Sequence, residues 1–461
     1  MTAGIASIAL ILTALLAVPI SRRLTGDYFS PPAIVLIAWC GTLGLYALHL
    51  LPYAPMTDGT AALIAAAVTL LVGGAIAGAR LAGSRAATVS GARVRLARPA
   101  LWTTGYAVVG LAGSAWYVWS VTMRLGADAF LDGEELRGAL NRGLVPSSFL
   151  FLQFFALAAA LLAVALWQTG QLRARHLLLP GLCALGTLIT TDRTQSFTLI
   201  VTAGLIAAFH LGPRLRAAKL LAAAVLVPAL LVANFVAVGA WRAQSWRAFQ
   251  SQVSGAPAPA PAQPGTPAPA APGSDPAANV PPQAGSVWQG RARQLSMLYF
   301  YATASYPALD QIRRADRPRT HGAHTFYPIV RALERLHVVA GPLPSYIPAF
   351  LPVAPAAGGG APLSTNASTF LYYPLEDFGV PGSLGYALIV GLASGLAYGW
   401  MRRDRDSAAR LLLAGQVSTA LLLTIFVNKF NNTGSWYVLL LTLAPFAARW
   451  LRDRQRDRQR S

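Results

Sequence analysis

The residues of this chain best suited to chemistry are few, and most are arginines placed beside apolar stretches. Arg193 sits in the segment Thr190–Phe197, between two closely spaced apolar runs. An ionisable group beside hydrocarbon is costly unless paired. Arg193 is therefore read either as an ion pair with Asp192 or as an anion clamp reaching into a cavity. The planar guanidinium suits phosphate because it donates two hydrogen bonds at once and stays charged. Arg242 and Arg247 alternate with Trp241 and Trp246. That pattern reads as an interfacial aromatic belt, or as a second phosphate contact. His321 and His324 stand three apart. No cysteine or carboxylate cluster completes a metal shell around them. They are exposed loop histidines, or one is a general base, since imidazole titrates near neutral pH. Asp377 either caps a helix, with Pro381 in its first turn and Gly379 and Gly382 relaxing its start, or orients an acceptor hydroxyl. Glu134, Glu135, Arg137 and Arg142 form a charged connection that reads as a solvated face. Lys429 is a membrane-edge lysine or a third cationic contact.

The elements that position these residues must be helices in a bilayer. Of 461 residues, 55% are hydrophobic and 12% charged, against about a quarter charged in soluble domains. Backbone polar groups in lipid must be satisfied internally, which leaves helices or a closed barrel. The apolar runs are long enough for helices and lack the alternation of a barrel. Candidate spans lie near 3–20, 31–51, 60–79, 99–121, 146–168, 176–190, 196–212, 217–238, 378–401, 408–428 and 434–449. The fold class is an all-α integral membrane protein of about 11 transmembrane helices. The run Ile5–Ile20 has no basic segment ahead of it and Arg22 and Arg23 behind it, so it reads as a first span and not a cleaved signal. Cys40 and Cys183 lie inside apolar runs and read as small buried hydrophobes.

The net charge of +20 is carried by short connections and by the C-terminal tail. Such placement suits anionic lipid headgroups, not nucleic acid. Arg22–Arg23, Arg80–Arg98, Arg173–Arg175, Arg214–Lys219, Arg402–Arg410 and the tail are alternate connections. The positive-inside rule then puts the N-terminus outside and the C-terminus in the cytoplasm. The chain divides into spans one to eight at 1–238, a long outer loop at 239–377, three closing spans at 378–449 and a basic tail at 450–461. Within the loop, 254–285 is Pro/Ala-rich and reads as a disordered tether, and 286–350 is expected to be partly helical. After Thr325, a candidate N-cap, residues Phe326, Ile329, Val330, Leu333 and His337 share a helical face. That helix is expected on the outer surface of the bundle or in the headgroup layer.

Two segments carry a specific resemblance. Gly322-Ala-His-Thr325-Phe326 and the stretch Asn366-Ala-Ser-Thr369 … Asp377-Phe378-Gly379-Val-Pro-Gly382 resemble the oligosaccharide repeat unit polymerases, the O-antigen (Wzy-type) polymerase family. The start of the run at Arg193 is similar to that family's Gly-Arg opening, with Asp192 in place of the glycine. The Pro/Ala insertion is outside the family pattern. The resemblance implies a GT-C-like helical bundle with one long extracytoplasmic loop, in the bacterial inner membrane and with its active site on the outer face. It implies a metal-independent glycosyltransferase without cofactor. The growing chain would pass from undecaprenyl diphosphate to a sugar hydroxyl of the next lipid-linked unit. Partners implied are the lipid-linked oligosaccharide, the bilayer, a chain-length regulator and a flippase, with no nucleic acid. Arg193, Arg242, His321 and Asp377 are the expected catalytic residues. Asn366, Thr369, Arg247 and Arg142 are the expected substrate contacts. An O-antigen ligase-like transferase shares the donor and is the near alternative. A flippase or transporter is the alternative of another class, although no internal repeat of the kind transporters show is evident.

Overall fold

The computed structural model describes residues 2–51, 53–84, 95–126, 130, 148–186, 193–215, 299–315, 319–338, 351–353, 363–365 and 367–460. The described helices are α1 (Thr2–Thr25), α2 (Pro31–Tyr46), α3 (Asp58–Ser84), α4 (Pro99–Leu125), α5 (Ser148–Gln168), α6 (Leu178–Gly186), α7 (Arg193–Leu211), α8 (Ser305–Arg314), α9 (Tyr327–Arg335), α10 (Tyr372–Arg403), α11 (Ala408–Leu422) and α12 (Thr433–Arg460). Two three-residue strands, β1 (Leu351–Val353) and β2 (Leu363–Thr365), pair antiparallel with Leu351 opposite Thr365. The protein is otherwise helical among the described residues. Among the described residues five helices, α1, α3, α5, α10 and α11 with its following turn, are long and apolar enough to cross a membrane. The run at 217–238 and the tether at 254–285 lie outside the described residues.

Several boundaries differ from the sequence expectation. Helix α3 extends through Ser84, and α10 begins at Tyr372. The basic tail is not a separate segment but the last turns of α12, which runs to Arg460. Its Arg449 and Asp453 pair at 3.0 Å one turn apart, the spacing at which opposite charges support a helix.

Helices pack most closely where glycine removes the side chain. In α10, Gly391, Gly395 and Gly399 recur every fourth residue and face α3, whose Gly74 and Gly78 face back. A Cβ on Gly395 would lie 2.0 Å from the Ala75 carbonyl oxygen, and one on Gly78 would lie 2.2 Å from that of Leu392. The two backbones are in direct contact, the arrangement small residues permit in membranes. A second seam joins α4 to α5, where a Cβ on Gly110 would meet the Ala156 backbone at 2.6 Å.

Polar contacts tie the two ends of the bundle separately. At one end, Asp27 (2% exposed) bonds the Arg405 guanidinium at 2.7 Å and the Tyr398 hydroxyl at 2.6 Å. Arg405 also donates to the Phe209 carbonyl, and Arg22 to that of Gly212. The end of α1, the end of α7 and the α10–α11 connection therefore meet there. At the other end, α8 is seated on α2 and α3. Tyr306 is fully buried against Trp39 and Tyr46 and bonds Thr42 at 2.5 Å. Asp310 accepts from the Thr57 amide at 3.2 Å, from the hydroxyls of Thr57 and Thr60, and from Arg314 at 2.6 Å. It thereby caps α3 from outside that helix. Burial pushes the Asp310 carboxyl pKa up, but the two threonine hydroxyls, the Thr57 amide and Arg314 outweigh it and hold it below the usual carboxylate range.

Two outcomes follow. Gly395→Leu forces a side chain into the Ala75 backbone and lowers the melting temperature or abolishes membrane accumulation. Gly73→Leu, one position off the seam with nothing within 4 Å, leaves both near wild type. Because the native pKa of Asp310 is depressed, its contribution is complete above the unfolded carboxylate value of about 3.9 and is lost as pH falls through the native pKa. Stability of wild type and Asp310→Asn, measured from pH 7 to pH 3, therefore converges on acidification.

Candidate functional site

Helix α10 breaks at Gly379, whose φ of 69° and ψ of −163° are non-helical. Glycine adopts that conformation without a Cβ penalty, and Pro381 stands in the first turn of the helix that resumes after the break, where its missing N–H leaves no helical bond unmade. The break turns Asp377 and Phe378 toward the segment 319–326. Asp377 (1% exposed) accepts from the Thr325 amide at 2.5 Å, from the His324 amide at 3.4 Å and from the Thr320 hydroxyl. The Phe378 ring lies against Gly322 (φ 95°), where a Cβ would come within 2.9 Å of it. A Cβ on Gly382 would lie 2.0 Å from the Cβ of Phe378. The Phe326 and Phe378 rings are 6.2 Å apart, and Arg319 donates to the Phe378 carbonyl at 2.9 Å. The two motif segments thus interlock, Gly322, Thr325 and Phe326 on one side and Asp377, Phe378, Gly379 and Gly382 on the other.

This geometry changes two expected roles. Asp377 does not cap the helix that resumes after the break at Gly379; its oxygens bind the turn that leads into α9. Thr325 is not the N-cap of α9, which starts at Tyr327. The N-cap is Phe326, without a side-chain cap bond, and the Thr325 amide just before it donates to Asp377, 52 residues on in sequence.

The bracket buries one histidine and exposes the other. His324 is 8% exposed, with Nδ1 3.4 Å from Glu376 Oε2 and 3.4 Å from the Thr320 hydroxyl. Its Nε2 has no partner among the described residues. Asn431 Nδ2 donates to the His324 carbonyl at 3.0 Å. His321 is exposed in a left-handed backbone conformation (φ 50°). His324 thus sets its imidazole beside a carboxylate, and the exposed His321 makes no such pair among the described residues.

A cavity of about 690 Å³ opens beside this bracket, a volume within the range of small-molecule sites. It runs between α5, α7, α10, α11 and α12. Along the bundle its wall is largely apolar, from Leu199 and Val438 down to Leu396, Trp400 and Leu413. The end near the bracket is polar, with Gln195, Thr198, Lys429, Asn431, Asn432 and Ser435, and Tyr327 of α9 closes over it. Lys429 is the one charged side chain of the described lining. The first turns of α7 and α12 also face this end, and helix N-termini carry a partial positive charge. The arrangement suits an anionic head at the mouth and a hydrocarbon chain inside.

Arg193 heads α7, two residues before Gln195, so its backbone lies at the polar end; its side chain lies outside the described residues. Arg142, Arg242, Arg247 and Asn366 also lie outside them. Thr369 is buried in the segment beside α11, with its hydroxyl unpartnered among the described residues. The geometry joins Asp377 to His324 but does not bring His321 into the pair. Glu376, Gln195 and Asn431 were not anticipated. The pair Asn431–Asn432 between two apolar runs was the signal that would have marked the mouth. Cys40 and Cys183 are buried and free, as expected. No group of three metal-binding side chains occurs among the described residues.

Removing Asp377 leaves two amides and a hydroxyl without their charged acceptor, each such bond being worth about 1.5–3 kcal/mol. Asp377→Ala should lower thermal stability and membrane abundance. His324→Gln should leave both near wild type while abolishing activity. Thermal melts of purified variants, set beside activity per molecule, separate the two roles.

Comparison with family models, curated proteins and solved structures finds no match to this chain.

Proposed function

We propose that the protein polymerises undecaprenyl-diphosphate-linked oligosaccharide repeat units for a bacterial surface polysaccharide. The observation that carries this reading is the cavity, apolar along the bundle and polar with a lysine at one end, set against the interlocked segments that carry the family resemblance. A lipid-linked sugar diphosphate needs these same parts: a slot for the tail, positive charge at the head and a proton acceptor close by.

The reaction transfers the growing chain. The bond between its anomeric carbon and the diphosphate oxygen breaks, and the electron pair leaves with the diphosphate. A hydroxyl oxygen of the incoming lipid-linked unit bonds to that carbon, and its proton passes to a base. Negative charge grows on the leaving group, so preorganised donors there lower the barrier. In this reading Arg193 and Arg242, with Lys429 and the start of α7, supply that charge. The contact of His324 with Glu376, in the turn that Asp377 holds, supports the role of base. The reading carries with it about 11 spans, an outside N-terminus, the loop at 239–377 on the outer face and the tether at 254–285.

Deleting the gene should collapse a surface polysaccharide ladder to single repeat units, with full length restored by the wild-type chain. Complementation with Arg193→Ala should cut turnover roughly a hundredfold or more. Arg193→Lys should recover part, because a point charge does not reproduce the two-pronged contact. A full-length ladder from Arg193→Ala at normal protein abundance removes Arg193 from the mechanism. An unaltered ladder in the deletion strain removes the polymerase reading.

A further inference from the structure

The mouth of the cavity has a hydrogen-bonding pattern that no group of the described protein completes. Asn431 is 1% exposed and lines the cavity. Its Nδ2 donates to the His324 carbonyl at 3.0 Å, which fixes the orientation of the amide and leaves Oδ1 as an acceptor. That oxygen is buried and has no partner among the described residues. Gln195, across the mouth on α7, also lines the cavity, and its Oε1 is likewise buried without a partner there. Buried acceptors without donors are costly, and an anion would not satisfy them. Lys429 and the starts of α7 and α12 favour an anion at the same mouth. A ligand that fits both demands has a negative group and neighbouring hydroxyl or amide donors.

We propose that this mouth is the seat of a glycosyl phosphate head on a long-chain lipid. Lys429 takes the phosphate, Asn431 Oδ1 and Gln195 Oε1 accept from the sugar next to it, and the tail runs between α10, α11 and α12 toward Trp400. The assignment rests on the polymerase reading for the class of lipid. It goes beyond that reading in naming which residues recognise the head and in requiring a sugar and not a phosphate alone. The lysine is a binding residue here, and the two amides are specificity-determining.

The test is equilibrium binding, without turnover, to the purified full-length chain in phosphatidylcholine nanodiscs. The probes are polyprenyl diphosphate carrying one N-acetylhexosamine, polyprenyl monophosphate, and phosphatidic acid. The wild type should bind the glycosylated lipid at least about tenfold more tightly than either sugar-free lipid. Lys429→Met should weaken both polyprenyl probes by about tenfold or more. Asn431→Ala should weaken only the glycosylated one. Since that change also breaks the bond to His324, Gln195→Met, which is close in shape and lacks the amide acceptor, is read beside it and should show the same selective loss. Phosphatidic acid bound as tightly as the glycosylated lipid would mean an ordinary phospholipid site and overturn the proposal. So would wild-type affinity in Lys429→Met, or loss of selectivity in neither amide variant. Selective binding in a protein whose deletion leaves polysaccharide length unchanged would remove the polymerase reading and leave the site standing.

Discussion

The backbone contact between α3 and α10 is the constraint on which the rest of the structure depends. In lipid, two helices gain little from burying leucine, because the tails are as apolar as the partner. They hold together where backbones approach, and Gly74, Gly78, Gly391, Gly395 and Gly399 make that approach possible. The seam fixes the register of α10 along α3. It therefore fixes where the break at Gly379 stands relative to the start of α3, which Asp310 of α8 caps. The segments after the long loop are thus referenced to the same two helices.

From that reference the site is assembled by short polar contacts. Asp377 spends its oxygens on the turn at 320–325, and this holds His324 over Asn431. Asn431 in turn lines the cavity mouth. A buried carboxylate that receives amide and hydroxyl donors is a stable anchor, whereas a carboxylate working on a substrate would have to keep an oxygen available. By this count of partners Asp377 is an anchor, whereas His324 Nε2 has no partner among the described residues. The buried Asp27–Arg405 pair does comparable tethering at the opposite end, where loss of one partner would strand a charge.

Much of the bundle was legible because long apolar runs leave a chain few alternatives. The helix at α9 was legible from spacing. What was not legible depends on long-range pairing. Nothing local shows that Asp377 binds a turn 52 residues upstream, so it read as an ordinary helix cap, and Thr325 read as the cap of α9. His321 and His324 look alike in sequence. They differ only because His321 and Gly322 take positive φ, which turns one ring out and leaves the next histidine buried. The cavity is the hardest case, since its wall is drawn from five helices and no one of them has an unusual pattern. The basic tail continues α12 to Arg460, a continuation that its charge density alone does not mark.

On the proposed reading this chain joins lipid-linked repeat units. The most direct measurement is reconstitution of the purified protein into liposomes with a defined undecaprenyl-diphosphate repeat unit, followed by mass analysis of the glycans over time. A polymerase yields products at successive multiples of the repeat mass, with one lipid diphosphate released for each bond formed. Transfer of a single unit to a different acceptor, or movement of the intact lipid-linked unit between leaflets with no new glycosidic bond, would contradict that reading.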